Sequence, residues 1–389
     1  MRQTPVLAAF TSVGLLLVLG LNARSEQTVT PGWTRSQLPR VQSISEWWDG
    51  EYGSGNWLGA RDILEEEGVT LRVEWKAIAL WNVDGGLEQR FGYNDEYKFI
   101  GNIDFAKLTG WSALEGLSLF SSVRYRNGAG VNKFVGSSYF APSSIGGGRY
   151  WRFQTVFLTY VTPELFGIKE FLTISGGWQS PSSHFISQPN AKFFVNDTFT
   201  SGSLSANGIP WSGSYSAWGG FLRIQPSEWY YAQAGLYLAI PFATNVANHG
   251  LNFAGYRIDP NLNGLYFLSE TGLTPAIGPA KLQGRYVSGF LYFGVENDSF
   301  FGQPHEGRFA FFWQADQMLY REPTREPVPS EEPEDIGEAG FAGEDAPEVV
   351  EAPKLKDQGL YFFSLFEFAP KYNSTMPFYF QTGLIYKGL

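Results

Sequence analysis

The stretch GGFLRIQPSEWYYAQAGLYLAIPF, residues 219–242, decides the fold class. From Trp229 onward its side chains sort by parity. Tyr230, Ala232, Ala234, Leu236, Leu238 and Ile240 share one face, and Trp229, Tyr231, Gln233, Gly235, Tyr237 and Ala239 share the other. In the arm before it, Leu222 and Ile224 lie on one side and Arg223 and Gln225 on the other, with Pro226-Ser227-Glu228 as a tight connection. This is a hairpin with one apolar face. A soluble sandwich would bury that face against a second sheet, whereas a membrane barrel would turn it to lipid and keep the polar face for a wet interior. On the barrel reading Leu222, Ile224, Leu236, Leu238 and Ile240 meet lipid, and a charge at Gln233 is tolerated.

Working outward, the same period recurs at residues 69–81, 95–107, 115–127, 149–162, 169–179, 216–225, 229–240, 264–273, 284–296, 307–320, 359–369 and 376–386. These twelve segments mostly exceed the five or six residues usual for soluble strands and approach what a tilted strand needs to cross a bilayer. The connections alternate as well. Long ones at 82–94, 128–148, 180–215, 241–263 and 297–306 are interleaved with shorter ones at 108–114, 163–168, 226–228 and 274–283. Bacterial outer-membrane barrels put short turns on the periplasmic side and long loops outside. The expected fold is therefore all-β, an antiparallel transmembrane barrel over residues 69–389. Ahead of it, Arg61 to Glu67 form a short helix closed by Gly68 at the left-handed cap position.

Composition fits an exported chain. Met1-Arg2-Gln3, an apolar run from Pro5 to Leu21 and Asn22-Ala23 form the three-part layout of a secretory signal peptide, with cleavage expected near Ala23 and an N-terminal segment at 24–68. There is no Cys, which excludes disulfides and thiolate metal sites. The net charge of −10 concentrates in one tract: residues 321–357 carry 12 acidic and 4 basic side chains, a local balance of −8. Six prolines and almost no large apolar residues make that tract a disordered insertion. By strand parity it hangs on the periplasmic side. The remainder is nearly neutral, which removes any electrostatic case for a nucleic-acid partner.

No nucleophile elbow, phosphate loop, dinucleotide fingerprint or HExxH pattern occurs, so the sequence asks for no cofactor or metal and offers no catalytic residues. His184, His249 and His305 fall in expected long loops, where a lone exposed His is usually incidental. A pore for polar solutes needs paired donors and acceptors and aromatic rings in a wet lumen. By parity the lumen candidates are Arg72, Glu74, Lys76, Arg124, Arg126, Arg223, Trp229, Tyr231, Gln233, Glu296, Gln314 and Asp316. Trp111, Tyr160 and Trp178 at strand ends suit interfacial girdles.

The segments NWLGARDILEEEGVTL, FFVNDTFTSG, YSAWGGFLRIQPSEWYYAQAGLY, NHGLNF, SETGLTP, KLQGRYVSGFLYF, FWQADQMLYREP, QGLYFFSLFEFAP and TGLIYKGL, in this order over residues 45–389, resemble the carbohydrate-selective porins of the OprB family. That resemblance implies a sixteen-stranded outer-membrane barrel that passes sugars by diffusion, with outer-membrane lipid and transported sugar as partners and a homo-oligomer as a compatible assembly. It also implies about four further strands beyond the YKGL segment. Closure of the twelve counted here would need a ladder between residues near Val73 and residues near Ile385. Two other readings compete: a secreted β-rich carbohydrate-binding protein or glycoside hydrolase, and a barrel that anchors the envelope through its acidic tract. Strand length and loop alternation favour the porin.

Overall fold

The computed structural model describes residues 53–388 apart from 137–140, 147, 205, 210–214, 240–248, 251–263, 301 and 323–357. The signal-peptide, acidic-tract and Ile240 expectations lie outside those residues. The chain forms two compact units divided after Glu66. In the first, a turn at Trp57–Gly59 leads into helix α1, Ala60–Glu66, and the Arg61 guanidinium lies 4.3 Å over the Trp57 ring.

The second unit is built on one large antiparallel sheet, with a two-stranded ribbon of Glu164–Leu165 and Ile168–Lys169 beside it. Its long strands are β1 (Val69–Trp81), β2 (Phe91–Asp104), β3 (Leu117–Ala129), β4 (Tyr150–Val161), β5 (Leu172–Gln179), β6 (Ala217–Ser227), β7 (Tyr230–Ala239), β8 (Gly264–Leu273), β9 (Leu282–Asp298), β10 (Pro304–Arg321), β11 (Gly359–Phe368) and β12 (Phe378–Lys387). Each expected segment becomes a strand, and each strand pairs with its sequence neighbours from β1 through to β12. Among the described residues no ladder joins β1 to β12, so the pairing near Val73 and Ile385 that closure by twelve strands would need is not made there.

Short connections are built from local signals. Asp104 accepts from Lys107 N at 3.1 Å to start the helical turn Phe105–Thr109, and Gly110 ends it at φ 68°. Two connections differ from expectation. Backbone pairing carries β6 on through Ser227 over a bulge, which leaves Glu228 and Trp229 as the turn. Strands β9 and β10 run to Asp298 and from Pro304, reducing the expected loop at 297–306 to residues 299–303 and placing His305 in a strand.

The polarity of the sheet is inside-out. In β7 the odd residues from Tyr231 to Ala239 are buried, while Ala234 and Leu236 are exposed. Leu222 and Ile224 of β6 are exposed on the same side. Around the sheet Val73, Trp75, Phe99, Ile174, Phe311, Phe366 and Leu384 are likewise exposed, while Gln154, Gln179, Gln233, Glu270, Gln314, Glu367 and Gln381 are buried. A chain stable in water would reverse this, since an exposed apolar side chain forgoes roughly 1.5–3 kcal/mol of burial. Among the described residues no helix is long and apolar enough to cross a membrane.

Candidate functional site: an inward face narrowed by two loops

Strand register aligns the inward side chains into rows. Across β1 to β4, Glu74, Lys98, Arg124 and Arg152 form one row and Lys76, Glu96, Arg126 and Tyr150 the next. Arg124 Nη1 lies 3.1 Å from Glu96 Oε2, and Arg126 Nε bonds the same oxygen. Lys98 reaches Glu74 at 3.6 Å, and Arg72 reaches it at 2.9 Å. These rows and Arg72 carry six cations against two carboxylates, so this part of the wall is cationic.

A second set of rows crosses β5 to β12: Thr173, Arg223, Gln233, Glu270, Gly289, Phe312, Glu367 and Tyr379 lie side by side on the inward face. Glycine is required where a ring lies flat on the wall. At Gly289 an added Cβ would come within 2.3 Å of the Phe312 ring, and at Gly272 within 2.2 Å of the Tyr231 ring.

Here the long connection after β5 turns inward. Phe185, Leu204 and Ile209 from it are fully buried against Phe221, Tyr237, Leu268, Leu291 and Phe312 of the strands. Three wall carboxylates hold it. Glu270 accepts from Ile186 N at 3.0 Å, Asp316 from Asn190 Nδ2 at 2.9 Å, and Glu367 from both Ser203 N and Ser203 Oγ. Tyr231 Oη and Gln233 Nε2 also donate to Glu270, at 3.0 and 2.9 Å. Arg285 donates to Ser187 O at 2.8 Å and to Gln314 Oε1 at 3.2 Å, and approaches Asp316 at 3.6 Å. Charged acceptors satisfying buried donors are the stronger class of hydrogen bond.

The connection after β3 turns inward over the cationic rows. Asn94 donates to Ile145 O at 2.6 Å, and Lys76 Nζ to Ser144 Oγ at 2.8 Å. The two loops meet, with Ser144 N donating to Val195 O at 2.8 Å and Asp197 N to Ala141 O at 3.0 Å.

Several candidates are thereby relocated. Arg72, Glu74, Lys76, Arg124 and Arg126 share one region of the inward face, with Arg72 and Glu74 the more open and Arg124 and Arg126 largely covered. Tyr231, Gln233, Gln314 and Asp316 share another, packed against the infolded loop. Arg223 lies 3.9 Å over the Tyr231 ring. Trp229 stands exposed in its turn, off the strand face. Glu296 follows a β-bulge that shifts its register, so it pairs directly with Glu306 near the β9–β10 connection. The tolerance expected for a charge at Gln233 is corrected: its amide serves both His184 O and Glu270.

Trp178 is also corrected. It is 1% exposed and sits edge-on to Trp218, packed in the buried apolar cluster rather than in a girdle. Trp111 and Tyr160 are exposed. The histidines are not loose loop residues. His184 Nε2 bonds Gln179 Oε1 at 3.0 Å, its ring stands 4.1 Å from Phe221, and burial pushes its pKa down to about 4. His249 stacks on Trp151 at 4.4 Å and His305 on Tyr372 at 4.5 Å. Glu96, Glu270 and Glu367 were not singled out by parity. For Glu96 a signal existed, since it lies opposite Arg126 in register.

The model of the carbohydrate-selective porin, OprB family, matches residues 88–389. Porin B of Pseudomonas aeruginosa is 27% identical over 263 residues, covering 64% of this chain and 55% of its own length. The chain thus spans a little over half of that relative. A high-pH structure of Pseudomonas putida OprB covers 87% of this chain and 75% of its own, at a TM-score of 0.68 and 17% identity. A low-pH structure covers 87% and 78%, at 0.50 and 14%. These two support the fold alone. With the inside-out sheet and the family match over most of its length, the chain belongs to the carbohydrate-selective porins of the OprB family, a family of the Gram-negative outer membrane.

Proposed function

We propose that the protein lets small sugars diffuse across the outer membrane through a wet passage bounded by the inward faces of β1 to β4 and by the two infolded loops. The reading rests on one observation above all: the exposed side of the sheet carries large apolar side chains, while polar and charged side chains are buried on the other side beside the apolar cluster that packs the second loop, the polarity of a lipid-facing wall around a polar interior. The passage-lining set is Arg72, Glu74, Lys76, Arg124 and Arg126, joined by Glu96 and Lys98. Tyr231, Gln233, Gln314 and Asp316 fix the position of the second loop and so set the width of the passage. Guanidinium groups and carboxylates in alternation offer hydroxyl groups donors and acceptors that bind weakly and release quickly. Family membership supports sugars as the solute. In this reading residues 1–23 form the export signal, 24–68 an N-terminal segment, and 69–389 the barrel domain with its acidic insertion at 321–357.

Liposome swelling tests it. Proteoliposomes of the full-length protein should swell in isotonic glucose and maltose faster than protein-free vesicles, with the rate falling as the sugar lengthens. Swelling equal to that of empty vesicles for every sugar would reject the sugar-diffusion reading.

A further inference from the structure

The two end strands of the sheet, β1 and β12, share no ladder among the described residues, yet both grip the infolded loops. On β1, Lys76 Nζ donates at 2.8 Å to Ser144 Oγ of the first loop, the connection after β3. The Asp197 carboxylate of the second loop adds attraction for the same ammonium. On β12, Gln381 Nε2 donates to Phe199 O of the second loop at 3.1 Å and also to Gln188 Oε1. Tyr379 Oη donates to Gln381 Oε1 at 2.7 Å and lies 3.3 Å from Thr198 O.

One short segment, residues 195–199, runs between these anchors. At its start the loops pair through their backbones, Ser144 N donating to Val195 O at 2.8 Å and Asp197 N to Ala141 O at 3.0 Å. Toward its end the helical turn Thr198–Ser201 begins, with Thr198 N satisfied by Asn196 Oδ1 at 2.9 Å. Rings stiffen it. Phe194 stacks on Phe199 at 4.5 Å, and both meet Phe363 of β11, at 5.4 and 6.2 Å. A chain of contacts thus crosses the inward side from β1 to β12 through this segment. Its two anchors differ in strength. Gln381, Tyr379 and Thr198 are buried, whereas Lys76 is exposed. Water competes for an exposed hydrogen bond and salt screens an exposed charge pair, so the β12 end is firm and the β1 end is the one that yields.

We propose that residues 195–199 are a strut between the end strands, and that Lys76 and Gln381 are positioning residues that fix the largest solute the passage admits. The proposal rests on the sugar-diffusion reading and adds to it the element that sets the size limit. Lys76 acts here through Ser144, which separates the strut from a direct effect of its charge on solute. If one strut carries both anchors, cutting either end relaxes the same element and cutting both adds little, whereas two independent contacts would multiply.

The test is liposome swelling with the full chain, read as the ratio of the maltose rate to the glucose rate. Ser144→Ala removes the β1 tie without touching the charge of the wall, Lys76→Met removes the same tie from the wall, and Gln381→Leu removes the β12 anchor. Each should raise the ratio about threefold or more, and Ser144→Ala combined with Gln381→Leu should raise it no further than the larger single change. Heat-modifiable migration on a gel reports folding. If Gln381→Leu does not fold, Lys76→Met and Ser144→Ala decide, with the same raised ratio expected in each and in their double variant. Ratios unchanged in the folded variants, a rise with Lys76→Met alone, or effects that multiply in the double variant overturn the strut while leaving sugar diffusion intact. No swelling for any sugar in the unsubstituted protein overturns both.

Discussion

The inward faces of β1 to β4 and of β5 to β12 follow the same alternation, yet they do different things. On the first, Arg72 and Glu74 pair on the surface with nearly half of each side chain exposed, and cations outnumber carboxylates. On the second, Glu270, Asp316 and Glu367 are buried, and each accepts from the backbone or a side chain of a loop through one oxygen. The difference teaches that an inward polar residue in a barrel wall is of two kinds. In the proposed function one kind faces the passage and acts on solute. The other faces an infolded segment and acts on the passage only by fixing that segment in place.

The largest contrast should come from removing one carboxylate on each face. Glu367→Ala orphans the Ser203 N–H and hydroxyl, at about 1–3 kcal/mol for each donor, and frees the loop. Urea unfolding followed by gel shift should show that loss together with a larger or noisier conductance. Glu74→Ala removes only exposed pairs and should cost about 0–1 kcal/mol. Equal costs for the two variants would erase the distinction.

Leu236→Arg places a charge on the exposed apolar side of β7 and should destabilise by about 2–4 kcal/mol at mid-depth. Gln233→Lys, on the opposite side of the same strand, should also destabilise, through the lost Glu270 and His184 contacts. A tolerated lysine at 233 would return that residue to the passage wall.

His184 gives a pH signature peculiar to the loop. Its folded pKa of about 4 lies below the ordinary histidine value near 6.5, so the unfolded chain binds the proton first as pH falls. The contribution is complete above pH ~6.5 and is lost progressively as pH falls toward ~4, with a slope of at most about 1.4 kcal/mol per pH unit. His184→Gln should flatten the unfolding midpoint over that window. A midpoint with the same pH dependence in both proteins would place the imidazole in water.

The clearest effect on function belongs to Arg124 and Arg126. Replacing both with Gln leaves Glu96 without its two cations, and reversal potentials across a salt gradient should move toward cation preference. An unmoved reversal potential would take these residues off the passage.

Most of the fold was legible because strand period and burial are local properties. Segments 69–81 and 264–273 coincide with β1 and β8, and the faces of 222–238 follow from parity alone. The loop-facing role of the wall was not legible. Glu270 finds Ile186 across 84 positions and Glu367 finds Ser203 across 164, and no short-range pattern encodes such a meeting. Parity also fails where the chain inserts a residue, as at the bulge before Glu296. The three histidines looked incidental because their ring partners, Phe157, Phe221, Trp151 and Tyr372, lie 27 or more positions away.

Because the chain has no native cysteine, single cysteines introduced at 72, 74, 314 and 367 test the two faces directly in the membrane-embedded protein. A charged, water-soluble thiol reagent should modify positions 72 and 74 quickly and change the conductance, and should leave 314 and 367 unmodified until the protein is unfolded. Rapid modification at 314 and 367 with none at 72 and 74 would contradict the account.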